Sequence, residues 1–270
     1  MTLSLPAFVP MGRRGGLALR DSSAAEDGRV RQDLRDARRL QIGLLPPACC
    51  ETASLELAAL SLPVHEAGGD YFDYFPLPDG QLAVVMADVA GHGLESSVVR
   101  FGVRSCVHLL RPELAQPAEA LERLSATLRS TGVGRLVTLQ ILVLDAGRRR
   151  AALASAGHPP LLWRPRAGGP AQEMGAGRPP LGTGLPCRYV ESSWALQAGD
   201  LLVMHTDGLV EARDRRGQEY GDDRLRSTLG RIGGSSSARA ARDALLADFS
   251  RFRGDARPHD DVSLAVVRIK

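Results

Sequence analysis

Gly68-Gly69-Asp70-Tyr71-Phe72-Asp73, the apolar run Leu82-Ala83-Val84-Val85-Met86-Ala87, and Asp88-Val89-Ala90-Gly91-His92-Gly93-Leu94 follow one another in the first half of the chain. Two carboxylate-bearing turns thus flank a strand-length apolar segment. A turn sets a side chain at the end of a strand without burying its charge. Two such turns on adjacent strands bring Asp70 and Asp88 together, and like charges that close are costly unless a cation lies between them. The stretch points to a hard-metal site centred on Asp88, with further oxygen ligands expected from elsewhere in the chain.

Outward from there, residues 55–62 read as a strand entering the first turn, and Pro78-Asp79-Gly80 as a hairpin turn before the strand at 82–88. Residues 95–110 carry apolar side chains on nearly every side, the pattern of a well-buried helix that Pro112 ends. Residues 117–130 place Ala120, Leu121, Leu124 and Leu128 at helical spacing behind Pro117. Further strands are expected at 136–145, 151–156, 161–163, 189–196, 201–206 and 262–269, with a helix at 238–252. The Gly- and Pro-rich stretch 164–188 reads as a long surface loop. Short turns between most strands imply antiparallel pairing. Helices grouped in blocks, not alternating with strands, indicate an α+β class. Two sheets packed face to face with helices outside would bury such strands.

Upstream, residues 1–25 are rich in Gly, Pro, Ser and Arg without period and are expected to be disordered. Val30, Leu34, Ala37, Gln41 and Leu44 then form a heptad-like stripe, which Pro46-Pro47 ends. A linker helix is expected over 26–47. It either packs on its own domain or joins two copies in a homodimer, and residues 48–270 form the main domain. The net charge of +3 over 270 residues gives no ground for a nucleic-acid partner. Cys49, Cys50, Cys106 and Cys187 have no CxxC spacing, so neither a zinc site nor a disulfide framework is indicated, and a cytoplasmic location fits. No apolar run approaches the ~20 residues of a membrane span, and no signal peptide is recognisable.

Asp207-Gly208 and Asp260-Asp261 also adjoin strand-like runs. Singly, each is unremarkable. Asp before Gly is common in turns and needs no metal, Asp260 and Asp261 read equally as solvated charges, and Asp73 reads as a partner for local backbone. Together, four acidic turns at strand ends make one dense negative patch if the strands are neighbours. Mg²⁺ and Mn²⁺ favour oxygen ligands. Two such ions ~3.5–4 Å apart can bridge a water or hydroxide and offer it to a phosphorus centre.

In combination and order, GGDYFD, DVAGHGL, LVTLQILVLD, SAGHPPLLW, RPPLGTG, TDGLVEARD, YGDDRL and DDVSLAVVRI are specific. Over residues 30–270 the chain resembles the SpoIIE/RsbU-type phosphatases, the bacterial branch of the metal-dependent PPM protein phosphatases. The resemblance implies a β-sandwich of two antiparallel sheets with helices on both faces. It implies hydrolysis of phosphoserine or phosphothreonine in a protein, typically a STAS-domain anti-sigma-factor antagonist in a partner-switching pathway. It also implies two ions, Mn²⁺ or Mg²⁺, and in-line attack by metal-bound hydroxide without a phosphoenzyme. Asp88 resembles the carboxylate bridging both metals, with the Val89 carbonyl and Asp70 at the second site. Asp207 and Asp260 resemble first-site ligands, while Asp261 either ligates or orients the site. Gly91 and Gly93 would let the backbone approach metal and phosphate.

Some residues stay open. His92 is not equivalent to the histidine of the eukaryotic relatives, and no general acid is apparent. His158 reads as a structural residue fixing a turn. Arg100 or Arg104 could clamp phosphate. Ser155 stands where the family usually has Asn, and His205 where Tyr is common. Family members often carry a sensor domain before the linker helix, and fewer than thirty residues precede it here; regulation is then expected through the helix, a dimer contact or a separate partner. Two other readings share these residues: a non-catalytic partner-binding module of the same fold, and a di-metal hydrolase of a small phosphorylated molecule. All four carboxylate turns are intact, which argues against the first.

Overall fold

A computed structural model of the chain describes residues 32, 36, 38–64, 68–91, 93–132, 134–175, 177–184, 186–257 and 259–270. In chain order the strands are β1 (Cys49–Glu51), β2 (Leu55–Leu62), β3 (Tyr71–Pro76), β4 (Leu82–Val89), β5 (Val137–Asp145), β6 (Arg150–Ala156), β7 (Leu161–Arg164), β8 (Gln172–Met174), β9 (Glu191–Ala195), β10 (Leu201–His205) and β11 (Val262–Ile269). The helices are α1 (Leu94–Leu109), α2 (Pro117–Ser130), α3 (Asp207–Val210), α4 (Asp222–Arg231) and α5 (Ala238–Arg253).

One sheet has the order β3-β4-β5-β6-β9 and the other β1-β2-β11-β10-β7-β8, with antiparallel pairing throughout. Successive side chains on a strand point to opposite faces, and β4 shows what that requires here. Leu82, Val84 and Met86 pack between the sheets against Leu57, Leu202, Met204 and Val267. Ala83, Val85 and Ala87 face outward onto Val103 and Val107 of α1 and Leu121 and Leu124 of α2. Both faces are covered, so the strand is apolar at every position from 82 to 87. On the other sheet, Leu225 and Leu229 of α4 and Leu245 and Phe249 of α5 cover Ala58, Val203, Leu264 and Val266. The result is four layers, helix–sheet–sheet–helix, as the sequence leads one to expect.

Three local differences have physical causes. Residues 71–76 form a strand, so Asp73 lies within β3 and not in a turn; its buried carboxylate is tolerated because Tyr71 Oη donates to it and His108 Nε2 lies 2.8 Å away. The stretch 164–188 is not all surface loop: it contributes β8 and pairs Leu181 with Val137, burying Leu181. Helix α4 was not anticipated, because only Leu225, Thr228 and Leu229 of its ten residues are buried.

Of the stretch 26–47, residues 38–43 are helical. Gln41, the polar member of the stripe, turns onto its own domain: Nε2 donates to Ser97 Oγ of α1, and Oε1 accepts from Gly68 N–H at 3.3 Å. Val30, Leu34 and Ala37, like the stretch 1–25, lie outside the described residues. Among the described residues the four cysteines are free, and no helix is long and apolar enough to cross a membrane.

Candidate metal centre

Strand register brings the acidic turns to one end of the sandwich. Asp88 is the penultimate residue of β4 and stands opposite Thr138 on β5. Tyr71 pairs with Ala87, so Asp70, directly before β3, lies beside Asp88. On the other sheet His205 pairs with Leu264. Asp207, just past β10, and Asp260-Asp261, just before β11, therefore share an end too. Contacts between the sheets lock these ends together. Gly69 N–H and Val64 N–H each donate to Asp261, at 2.8 Å to Oδ2 and Oδ1 respectively. Thr206 Oγ1 donates to Asp70 Oδ2 at 2.8 Å and accepts from Ser263 N–H at 2.9 Å. Gly208 lies so near the Asp261 carbonyl that a Cβ there would be 2.0 Å from its oxygen, so only glycine fits the second position of α3.

The charges are held at an energetic cost. Burial, then the Asp207, Asp260 and Asp261 carboxylates, push the Asp88 carboxyl up to about 7. Burial and then Asp88 hold Asp70 well above the usual carboxylate range, and burial with Asp260 raises Asp207. Like-charge repulsion of this kind is relieved by a cation.

The donor atoms suit a hard ion. They are oxygens only, which matches Mg²⁺ or Mn²⁺. Asp207 Oδ1 is buried without a hydrogen-bond partner among the described residues. At Gly69 a Cβ would lie 2.8 Å from the Val89 carbonyl oxygen and 3.3 Å from Asp88 Oδ1. That hollow, bounded by a carboxylate and a carbonyl, is kept open by the missing side chain. Among the described residues no three His, Cys, Asp or Glu side chains stand, as placed, in a group that could hold a metal ion, and Asp70 is turned onto Thr206. The residues present fit ions that retain several waters.

Asp260 Oδ1 accepts the Asp261 N–H, while both Asp261 oxygens are engaged by main-chain donors. Gly91 and Gly93 have φ of +96° and +83°, conformations glycine adopts without strain. His92 lies outside the described residues. Arg100 is buried beside Asp70 and Asp261, and the Nε atoms of Arg100 and Arg104 are both buried without a hydrogen-bond partner among the described residues. Asp73 sits under α1, its Oδ1 accepting the Tyr74 N–H, apart from the acidic patch. Sequence reasoning missed Thr206 and Gln41. The Thr-Asp-Gly run and a lone polar residue on an apolar stripe were the available signals. A cleft of about 380 Å³, lined by Gly208, Glu211, Arg213, Glu219, His259 and Asp260, opens beside the patch.

Comparison with known proteins places the fold among solved relatives. The chain is 24% identical over 151 residues to the phosphoserine phosphatase RsbP of Bacillus subtilis, covering 54% of this chain and 37% of RsbP. It is 22% identical over 189 residues to the phosphoserine phosphatase RsbU of the same organism, covering 70% of this chain and 56% of RsbU. The chain thus spans about a third to just over half of these relatives. The SiaA-PP2C domain of Pseudomonas aeruginosa superposes with a TM-score of 0.77 at 21% identity, covering 92% of this chain and all of that domain. RsbX, solved in complex with magnesium, superposes with a TM-score of 0.64 at 16% identity, covering 82% of this chain and 98% of RsbX. The fold is that of the PP2C/PPM phosphatases. The family described as stage II sporulation protein E matches residues 78–270, well over half of the sequence, and the chain belongs to this SpoIIE family.

Proposed function

We propose that the chain is a metal-dependent protein serine/threonine phosphatase acting on a phosphorylated STAS-domain anti-sigma-factor antagonist in a partner-switching pathway, a reading that places it in the cytoplasm. The observation that carries the proposal is the gathering of Asp70, Asp88, Asp207 and Asp260 from both sheets at one rim, with the Asp88 carboxyl pushed up to about 7. The names of RsbP and RsbU support the substrate class, and the magnesium of RsbX supports the cofactor.

In this reading Asp88 would serve two ions, Mn²⁺ or Mg²⁺, with Asp70 and the Val89 carbonyl available to one and Asp207 and Asp260 to the other. When bound, the ions lower the pKa of the attacking water and neutralise charge on the phosphoryl oxygens. Asp261 positions the site through Gly69 and Val64 and does not ligate. The cleft beside Asp260 would receive the phosphorylated segment and hold it against the acidic rim. The test is Mn²⁺-dependent phosphate release from a phosphoserine STAS domain and from p-nitrophenyl phosphate. Both activities are expected in the wild type and absent in Asp88→Asn. No metal-dependent turnover on either substrate would favour a binding module.

A homodimer through the N-terminal helix is part of the proposal. Leu40, Leu44, Leu94, Val98 and Phe101 line one apolar groove and are exposed, Leu40 by 69% and Phe101 by 56%. Light scattering at high micromolar concentration should report a dimer; a monomer refutes this contact.

A further inference from the structure

The two sheets that carry the acidic residues are tied on the β3 side by Asp261–Gly69 and Thr206–Asp70. The opposite flank, beside β5, carries a buried group with no role so far. His158 lies between β6 and β7, in the short crossover that takes the chain from one sheet to the other. It is 4% exposed. Its Nδ1 lies 2.9 Å from Thr138 Oγ1, and Thr138 is the residue opposite Asp88 in the β4–β5 ladder. Its ring also stands near His205, at the end of β10 and two residues before Asp207, and its Nε2 is buried without a hydrogen-bond partner among the described residues. Burial drives the imidazole down to about 3, so it is neutral at working pH, and its Nδ1 shares a hydrogen bond with the Thr138 hydroxyl. The crossover is itself fixed. Ser155 Oγ donates to the His158 carbonyl at 3.5 Å, and a Cβ on Gly157 would lie 2.9 Å from Pro180 N.

We propose that His158 is a positioning residue, a buried clamp between Thr138 and the end of β10 that sets the separation of Asp88 and Asp207. This rests on the metal-centre reading above and adds a residue that touches no ligand. Partners that orient ligating side chains typically contribute about 10- to 100-fold in metal affinity. A residue that merely fills the core would contribute to stability and leave that affinity alone.

The test is calorimetric titration of Mn²⁺ into the metal-free full chain, well below its melting temperature, with melting recorded in parallel. His158→Ala should weaken Mn²⁺ binding about tenfold or more. His158→Asn, whose amide oxygen reaches the position of Nδ1, should recover most of the loss. Leu144→Ala calibrates a purely structural lesion. Leu144 is fully buried between the sheets and pairs with Leu82, at the end of β4 away from Asp88. It should lower the melting temperature and leave Mn²⁺ affinity unchanged. Wild-type affinity in His158→Ala, or an equal loss in Leu144→Ala, overturns the clamp while the metal-centre reading stands. A wild-type chain that binds no Mn²⁺ overturns both. Binding without phosphatase turnover faults only the proposed activity.

Discussion

Asp88→Asn in the metal-free protein should make the chain more stable, although it abolishes the proposed activity. Asn nearly matches Asp in shape and cannot ionise. The Asp88 carboxyl is raised from 3.8 to about 7 by burial and by Asp207, Asp260 and Asp261. A folded-state pKa above the unfolded value in an acid means the folded chain binds the extra proton between those values. Stability therefore falls as pH rises from about 4 to about 7, and the penalty is fully present above that. A shift of about 3 units at 1.36 kcal/mol each sets a ceiling of about 4 kcal/mol. Solvent at the open side of the rim screens part of it, leaving about 2 kcal/mol. For a domain of this size that is a rise in melting temperature of about 4–8 °C. The assay is thermal denaturation in EDTA at about pH 8, repeated near pH 4, where the difference should vanish. With Mn²⁺ the order should reverse, because only the wild type gains metal stabilisation. An unchanged or lower melting temperature for Asp88→Asn in EDTA at the higher pH would refute the reasoning, since Asp88 would then not sit in a repulsive patch.

Three further outcomes follow from the same geometry. Because Asp88 must lose its proton to ligate, Mn²⁺ affinity should climb up to tenfold per pH unit below about 7 and level off above it; calorimetry across that range checks this. Gly69→Ala places a Cβ 2.8 Å from the Val89 carbonyl oxygen, so it should destabilise by about 1–3 kcal/mol in denaturant titration and weaken Mn²⁺ binding. Asp261→Asn replaces a carboxylate that accepts two buried main-chain N–H groups, so it should lose about 1–3 kcal/mol of stability, whereas Asp260→Asn should lose metal affinity with little effect on the metal-free fold.

Much of the fold was legible because the strands are buried on both faces. Runs such as 82–87 and 264–267 are apolar at every position, and in them an acidic residue can only mark an end. Residues 71–76 were harder to read, because Asp73 interrupts the apolar pattern and its partners, Tyr71 Oη and His108, come from local folding and from the far end of α1. Helix α4 escaped because two leucines and a threonine make too thin a stripe. At the site, Asp70 and Asp88 stood out from adjacent turns. That Asp207 and Asp260 arrive beside them depends on the register of β10 with β11 and of β11 with β2, which short-range patterns do not encode. Thr206 escaped for the same reason, while His158 was read only as fixing a turn. Thr206 acts across the sheets, on a residue far away in sequence.

Manganese-edge anomalous diffraction from a crystal grown with Mn²⁺ tests the central claim most directly. The account predicts two peaks about 3.5–4 Å apart, with Asp88 between them, Asp207 and Asp260 on one, and Asp70 and the Val89 carbonyl facing the other. Density away from this rim, or a peak ligated without Asp88, would contradict it.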